Sequence, residues 1–413
     1  MSGISVKSLL LLCALLMLNA CNSKSTTPAS ERQETTKKPY VLLISLDGFR
    51  WDYVDKYKPK FLSKFAKESA HLKSLRPSFP TKTFPNHLSI VTGSYPQNHG
   101  IVANGFYASD IDKTYSIKDS KAVTNPDFYW RKPLWVIAEE QNMRTASYFW
   151  PSSEAAIAGI TPSHFMKYDH DAAHQERIDG VLNWYNLPFS ERPQLITTYF
   201  HDVDSAGHNY GQNSSELIAA IKAVDQSIEK LVNGVQALNL GVNIVIVSDH
   251  GMTDIPPHNY EYLPTWLDEE YTVSATGPIV HIYDTKKSTR TLEQTVNVLS
   301  QQAKHYQCYQ YKDIPTKYHA SSTNRIGDIT CLADKDWAIG FTGKMKKGNH
   351  GWSQFYNTDM DGIFYAQGPA FKKSYQLDTV ENIHIMPLLA DILGIKITTP
   401  IDGKLETLTP LLK

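Results

Sequence analysis

Apolar positions along this chain fall into two alternating periods. Tyr40–Leu46 reads YVLLISL, an unbroken apolar run, the signature of a strand buried on both faces of a parallel sheet. Runs of the same kind recur at Leu195–Phe200, 243–248 and 362–366, with a weaker one at 145–150. Between them the period lengthens to that of a helix. Over 214–238, Leu217, Ile218, Ile221, Val224, Ile228, Leu231 and Val235 fall on one side. Residues 59–69, 85–92, 133–141, 175–185 and 382–393 also read as helices. Strands alternating with helices predict an α/β fold, a doubly wound and mostly parallel sheet flanked by helices. Residues 255–345 are less regular, with short strand-like runs such as Ile279–Tyr283, and read as a small irregular insertion.

The first 39 residues do not fit this alternation. In MSGISVKSLLLLCALLMLNAC, Lys7 precedes an apolar run over 9–18 that is too short for a permanent membrane span. This is the shape of a secretory leader, and Leu-Asn-Ala-Cys21 resembles a bacterial lipobox. The expectation is a signal peptide over 1–20, a lipidated Cys21, a flexible tether to residue 39 and a folded domain over 40–413. That places the protein in a bacterial cell envelope, held to a membrane by lipid and facing the periplasm or the exterior.

Composition narrows the classes. With 413 residues, 41% of them hydrophobic, the chain can bury a large core. Lys+Arg 41 against Asp+Glu 42 gives a net charge of -1, which argues against binding long nucleic acid by electrostatics. Four cysteines exclude a disulfide-dense scaffold or a Cys-rich zinc module. Cys13 and Cys21 belong to the leader and its lipid. Cys308 and Cys331 remain, in a compartment that permits disulfides, and are expected to pair.

Candidate chemistry gathers where strands end. Ligands of open α/β sheets bind outside the carboxyl ends of the strands. Asp47 closes the first strand, Asp204 and His208 follow LITTYF, and Asp249 and His250 follow NIVIVS. His350 stands in NHGW. Mixed carboxylate and imidazole ligands suit zinc better than calcium or magnesium. Six are too many for one tetrahedral ion and fit two ions with open positions. Three carboxylates leave a pair of Zn2+ with one positive charge in surplus, enough to hold an alkoxide and an anionic phosphate. Asp-x-x-x-His alone is common by chance; Asp-His-Gly after an apolar strand is more specific. Thr83 begins a helical run after Pro-Thr-Lys. There it is either a nucleophile, favoured by the helix dipole, or a plain capping residue.

Five segments then occur in one order: PTKTFPNHLSIVTGSYPQNHGI, FWPSSE, TYFHDVDSAGHNYG, VIVSDHGM and NHGW. Together they resemble the nucleotide pyrophosphatase/phosphodiesterase family of the alkaline phosphatase superfamily, over about 40–395. The resemblance implies that Asp204, His208 and His350 hold one zinc. Asp47, Asp249 and His250 hold a second, with Thr83 beside it as metal-linked nucleophile. It implies that Asn104 hydrogen-bonds a phosphate oxygen together with the Thr83 backbone N–H. Phe84 and Tyr168 sandwich a nucleobase, and Trp150 and Tyr199 line the pocket; ordinary core packing is the alternative for these last two. The implied activity is zinc-dependent hydrolysis of nucleotide phosphodiester and pyrophosphate bonds. It proceeds through phospho-Thr83 and releases nucleoside 5′-monophosphates. Substrates would be nucleoside triphosphates, dinucleotides and artificial nucleotide diesters, and 40–413 a catalytic domain alone. A neutral Asn104 suits a monoanionic diester, where a monoesterase needs a cation. The competing readings are cleavage of choline-bearing lipids or glycerophosphodiesters, phosphomonoester hydrolysis, and an inactive binding protein.

Overall fold

The computed structural model describes residues 39–274, 276–343 and 345–413. The expected signal peptide, Cys21 and nearly all of the expected tether lie outside the described residues. The described residues pack as one unit.

Tyr40–Leu46 sits inside an eight-stranded sheet, with every residue buried. It pairs in parallel with Leu195–Phe200 on one side and Val242–Val247 on the other. Beyond Leu195–Phe200 come Thr145–Tyr148 and His164–Met166, both parallel. Beyond Val242–Val247 comes Phe364–Gln367, which runs antiparallel. Ala70–Leu72 and Tyr375–Leu377 complete that edge. The sheet is therefore mostly parallel, as its apolar runs predict.

Alternate residues of the central strand feed opposite layers, because strand side chains have a period of two. Val41 and Leu43 join one apolar cluster, with Leu88, Ile137 and Leu389 from helices Thr83–Thr92, Leu134–Glu140 and Ile385–Leu393. Leu42, Ile44 and Leu46 join a second, with Leu62, Val181 and Val224 from helices Lys60–Glu68, His174–Tyr185 and Ser215–Ala237. Ser214 Oγ accepts from the Leu217 N–H and starts the longest of these. Ile218, expected on its apolar side, is instead 44% exposed.

Residues 255–345 are not an irregular insertion. They contain a four-stranded antiparallel sheet in the order Thr272–Ser274, Ile279–Tyr283, Ile329–Ala333, Tyr306–Gln310. Helix Leu292–Gln302 opens with a full capping box on Thr291 and Gln294. Val280, Ile282, Leu299 and Ile329 share a third apolar cluster. The strands are short, and YQCYQ carries little apolar signal. Their partners also lie far apart in sequence, so local pattern does not reveal them. Cys308 stands opposite Cys331 in this sheet and is disulfide-bonded to it.

Two buried histidines give the fold an acid limit. Burial lowers His99 to about 3 and His281 to about 4, so both are held neutral. The unfolded chain protonates near the ordinary value of about 6.5. Between these values the unfolded state binds more protons, so stability is present above about pH 6.5 and is lost as pH falls. The loss is on the order of 3 kcal/mol for each histidine by pH 4. A urea midpoint that falls steeply between pH 6.5 and pH 4 is expected, with a shallower slope for His281→Asn; equal slopes would refute the assignment.

Candidate active site

Three adjacent strands deliver carboxylates to one edge of the sheet. Asp47 follows Tyr40–Leu46, and its N–H donates to the Phe200 carbonyl. Asp204 lies in the first turn of helix Asp202–Tyr210, directly after Leu195–Phe200. Asp249 and His250 follow Val242–Val247. Gly48 makes the meeting possible. It has φ +66°, and a Cβ there would lie 2.9 Å from the Asp204 Cα. Its N–H donates to Asp249 Oδ1 at 3.2 Å.

The ligand-type atoms converge as two groups. Asp204, His208 and His350 form one; Asp47, Asp204 and His250 form the other, each within 4.8 Å. Asp204 belongs to both. Asp249 Oδ2 lies 3.0 Å from His250 Nε2, so all six side chains expected from the sequence meet here.

Their surroundings fit a pair of cations. Asp47 Oδ1, Asp204 Oδ1 and Asp249 Oδ2 are buried without a hydrogen-bond partner, an expensive state unless a cation takes them up. Burial, with the nearby Asp249 and Asp204 carboxylates, holds Asp47 well above the usual carboxylate range. Each histidine turns its Nδ1 to a backbone carbonyl: His208 to Gly348 at 2.7 Å, His350 to Thr81 at 2.7 Å, His250 to Gly251 at 2.9 Å. A carbonyl only accepts, so each Nδ1 carries the proton and each Nε2 is left as a lone pair for a metal. The donor set, carboxylate oxygen with imidazole nitrogen, is one zinc accepts.

Thr83 is the first residue of helix Thr83–Thr92 and makes no capping bond. Its Oγ1 instead lies 3.3 Å from His250 Nε2, at the ligand cluster. Asn104 Oδ1 accepts from the Phe84 N–H at 3.0 Å. This fixes the amide orientation and leaves Nδ2 as a donor on the cavity side. The cavity encloses about 430 Å³ and is shared by Thr83, Asn104, Phe84, Tyr168 and the clustered side chains Asp47, Asp204, His208 and His350. Tyr168 is 45% exposed. It is held by Glu154, whose carboxylate accepts its N–H at 2.7 Å, and by Phe149 edge-on at 5.4 Å.

Trp150 and Tyr199 also reach the cavity wall, but both are buried. The Tyr199 hydroxyl donates to Asp47 Oδ2 at 2.5 Å, so it orients a ligand carboxylate. Trp150 packs edge-on against His87 at 5.0 Å.

Sequence reasoning passed over His87 and Glu154, and it left Lys82, the cation next to Thr83, without a direction. His87 is one helical turn after Thr83. Its Nδ1 donates to the Thr83 carbonyl at 2.8 Å and lies 3.5 Å from Asp249 Oδ2. The spacing from Thr83 was the available signal. The Lys82 ammonium donates to the His350 carbonyl, and burial lowers it to about 8. It braces the His350 loop against the Thr83 helix.

A mostly parallel sheet with a two-centre cluster of ligand-type side chains and a hydroxyl at a helix start defines an α/β fold with a candidate metal centre at the carboxyl edge of its strands. Comparison with known proteins agrees. The family described as Type I phosphodiesterase / nucleotide pyrophosphatase matches residues 41–353. The chain belongs to this family, within the alkaline phosphatase superfamily. It is 35% identical over 392 residues to mouse (Mus musculus) ectonucleotide pyrophosphatase/phosphodiesterase family member 1, covering 91% of this chain and 43% of the relative. It is 33% identical over 387 residues to venom phosphodiesterase CdcPDE of Crotalus durissus collilineatus, covering 90% and 46%. The chain thus spans less than half the length of these relatives. Among solved structures, murine ectonucleotide pyrophosphatase/phosphodiesterase 5 superposes with a TM-score of 0.85 at 26% identity, covering 91% of this chain and 100% of that one. The same murine protein is known as an inactive threonine-to-alanine variant in complex with AMP, which superposes with a TM-score of 0.86.

Proposed function

We propose that this protein hydrolyses nucleotide phosphodiester and pyrophosphate bonds and releases nucleoside 5′-monophosphates. The observation that carries the reading is the single cavity shared by Thr83, Asn104, an aromatic pair and the ligand cluster. Asp204, His208 and His350 would hold one Zn2+, and Asp47, Asp249 and His250 the other. Two such ions supply a lowered hydroxyl pKa and compensation for the charge that develops at phosphorus.

The chain's own groups then act in two steps. Thr83 Oγ1 gives its proton to water and forms a bond to phosphorus as the bond to the leaving oxygen breaks; the leaving oxygen takes a proton back from water, so the step is proton-neutral. Water next attacks phospho-Thr83, the P–Oγ bond breaks, and the nucleoside monophosphate departs as the Thr83 hydroxyl is restored. Asn104 Nδ2 donates to a non-bridging oxygen, and the positive end of the Thr83 helix favours the anion. Phe84 and Tyr168 stack on the base.

The neutral amide of Asn104, bonded to the Phe84 N–H beside Thr83, supports a diester over a monoester. Among the described residues lining the cavity there is no arginine, its lysines are Lys118 and Lys346, and the Lys82 ammonium is committed to the His350 carbonyl. AMP in the related structure supports a nucleotide product.

Tyr168→Ala tests the base site. Base stacking is worth about 1–3 kcal/mol, so kcat/KM for p-nitrophenyl thymidine 5′-phosphate should fall roughly five- to hundredfold. Cleavage of bis-p-nitrophenyl phosphate, which has no base, should change little. Faster wild-type cleavage of glycerophosphocholine than of the thymidine diester would overturn the nucleotide reading in favour of a choline substrate.

A further inference from the structure

The cavity is lined differently at its two ends. Phe84 lies beside Asn104, which bonds its N–H, and Tyr168 shares the cavity with both. Away from them the ligand histidines form a continuous series. Thr83 Oγ1 is 3.3 Å from His250, the His250 and His350 rings stack at 3.6 Å, and His350 Nε2 is 3.2 Å from His208 Nε2. Lys346 lines the cavity at this far end, with Asp204, Ser205 and His208.

The position of Lys346 is set by backbone contacts. The next residue, Lys347, donates its N–H to the His208 carbonyl at 3.0 Å and accepts from the Ile255 N–H at 2.8 Å. Gly348 then packs so closely that a Cβ there would lie 2.5 Å from the Gly207 carbonyl oxygen. The segment is thus pinned to the helix that carries Asp204 and His208. Lys346 makes no ion pair with a carboxylate among the described residues.

An in-line displacement places the leaving oxygen opposite the attacking one. With Thr83 attacking and the base on Phe84, the leaving group departs toward His208. We propose that Lys346 forms an anion subsite for the leaving group. The chain then selects diesters whose leaving group carries phosphate charge, such as nucleoside triphosphates and dinucleoside polyphosphates, over those with an uncharged one. This rests on the nucleotide-hydrolase reading and narrows it. An exposed ammonium with no ion-pair partner among the described residues adds attraction for such a group at no cost in broken ion pairs, and the attraction weakens with salt.

The test compares two substrates and one product. In Lys346→Ala, the ratio of kcat/KM for ATP to kcat/KM for p-nitrophenyl thymidine 5′-phosphate should fall about tenfold, and Lys346→Arg should restore it. Calorimetry on the zinc-loaded protein should show pyrophosphate binding about tenfold weaker in Lys346→Ala, with AMP binding unchanged. An unchanged ratio together with unchanged pyrophosphate affinity would overturn the subsite while leaving the hydrolase intact. Wild-type protein that cleaves neither diester, yet binds pyrophosphate through Lys346, would overturn the hydrolase reading alone.

Discussion

Thr83→Ala should lower kcat on nucleotide diesters by at least about 10³-fold, because it removes the atom that bonds to phosphorus. The structure makes this a clean substitution. Thr83 makes no capping bond, and its hydroxyl faces His250 Nε2 at 3.3 Å. Stability should therefore change by less than about 1 kcal/mol. Zinc content should stay at the wild-type level, since six other side chains form the ligand set. Thr83→Ser keeps the oxygen and should stay within about tenfold of wild type. Rapid-quench phosphorylation of wild-type protein, absent in the alanine variant, reads the covalent step directly. Near-normal kcat in Thr83→Ala would rule out the phospho-threonine route.

Metal removal should produce the other large effect, and it has a sign that discriminates. Stripping zinc with a chelator should abolish turnover and lower the melting temperature by several degrees. Each ion held at 100–1,000 times its dissociation constant stabilises by about 3–4 kcal/mol. The stripped protein must keep Asp47, Asp204 and Asp249 together with unpartnered oxygens. Asp204 belongs to both ligand groups, so Asp204→Asn should cost metal at both and at least about 100-fold in activity. In the stripped state the same substitution removes one of the repelling carboxylates. Stripped Asp204→Asn should therefore melt no lower than stripped wild type, while its gain from added zinc is much smaller. Equal zinc stabilisation of the two proteins, read by scanning calorimetry, would contradict the ligand assignment.

How much of this was legible in the sequence depends on how local each signal is. Tyr40–Leu46 and Leu195–Phe200 are apolar over their whole length and were readable to the residue. Asp47, Asp249 and His250 were placed because each directly follows such a strand. Thr83 and His350 needed the resemblance of long motifs, since neither spacing nor composition separates a nucleophilic threonine from a capping one. Of the strands at 272–333, Ile279–Tyr283 was readable as an apolar run; the others were lost because their pairing is long-range and their side chains are mixed. Ile218 was misplaced because helical period alone does not say how wide the buried stripe is. The Glu154 contact to Tyr168, and the Tyr199 hydroxyl on Asp47, join residues on different elements. No sequence period encodes them.

The backbone carbonyls behind His208, His250 and His350 have a consequence for how such an enzyme can change. The aim of the three imidazoles is set by main-chain atoms of Gly348, Gly251 and Thr81. The walls that meet the substrate are built from side chains, among them Lys118, Glu154, Tyr168 and Lys346. Substrate range and hydrolytic chemistry are thereby carried on separate supports. Exchange of wall residues can retune what the cavity accepts without re-aiming the ligands beneath it, which makes this scaffold a favourable starting point for engineering new phosphodiester specificities.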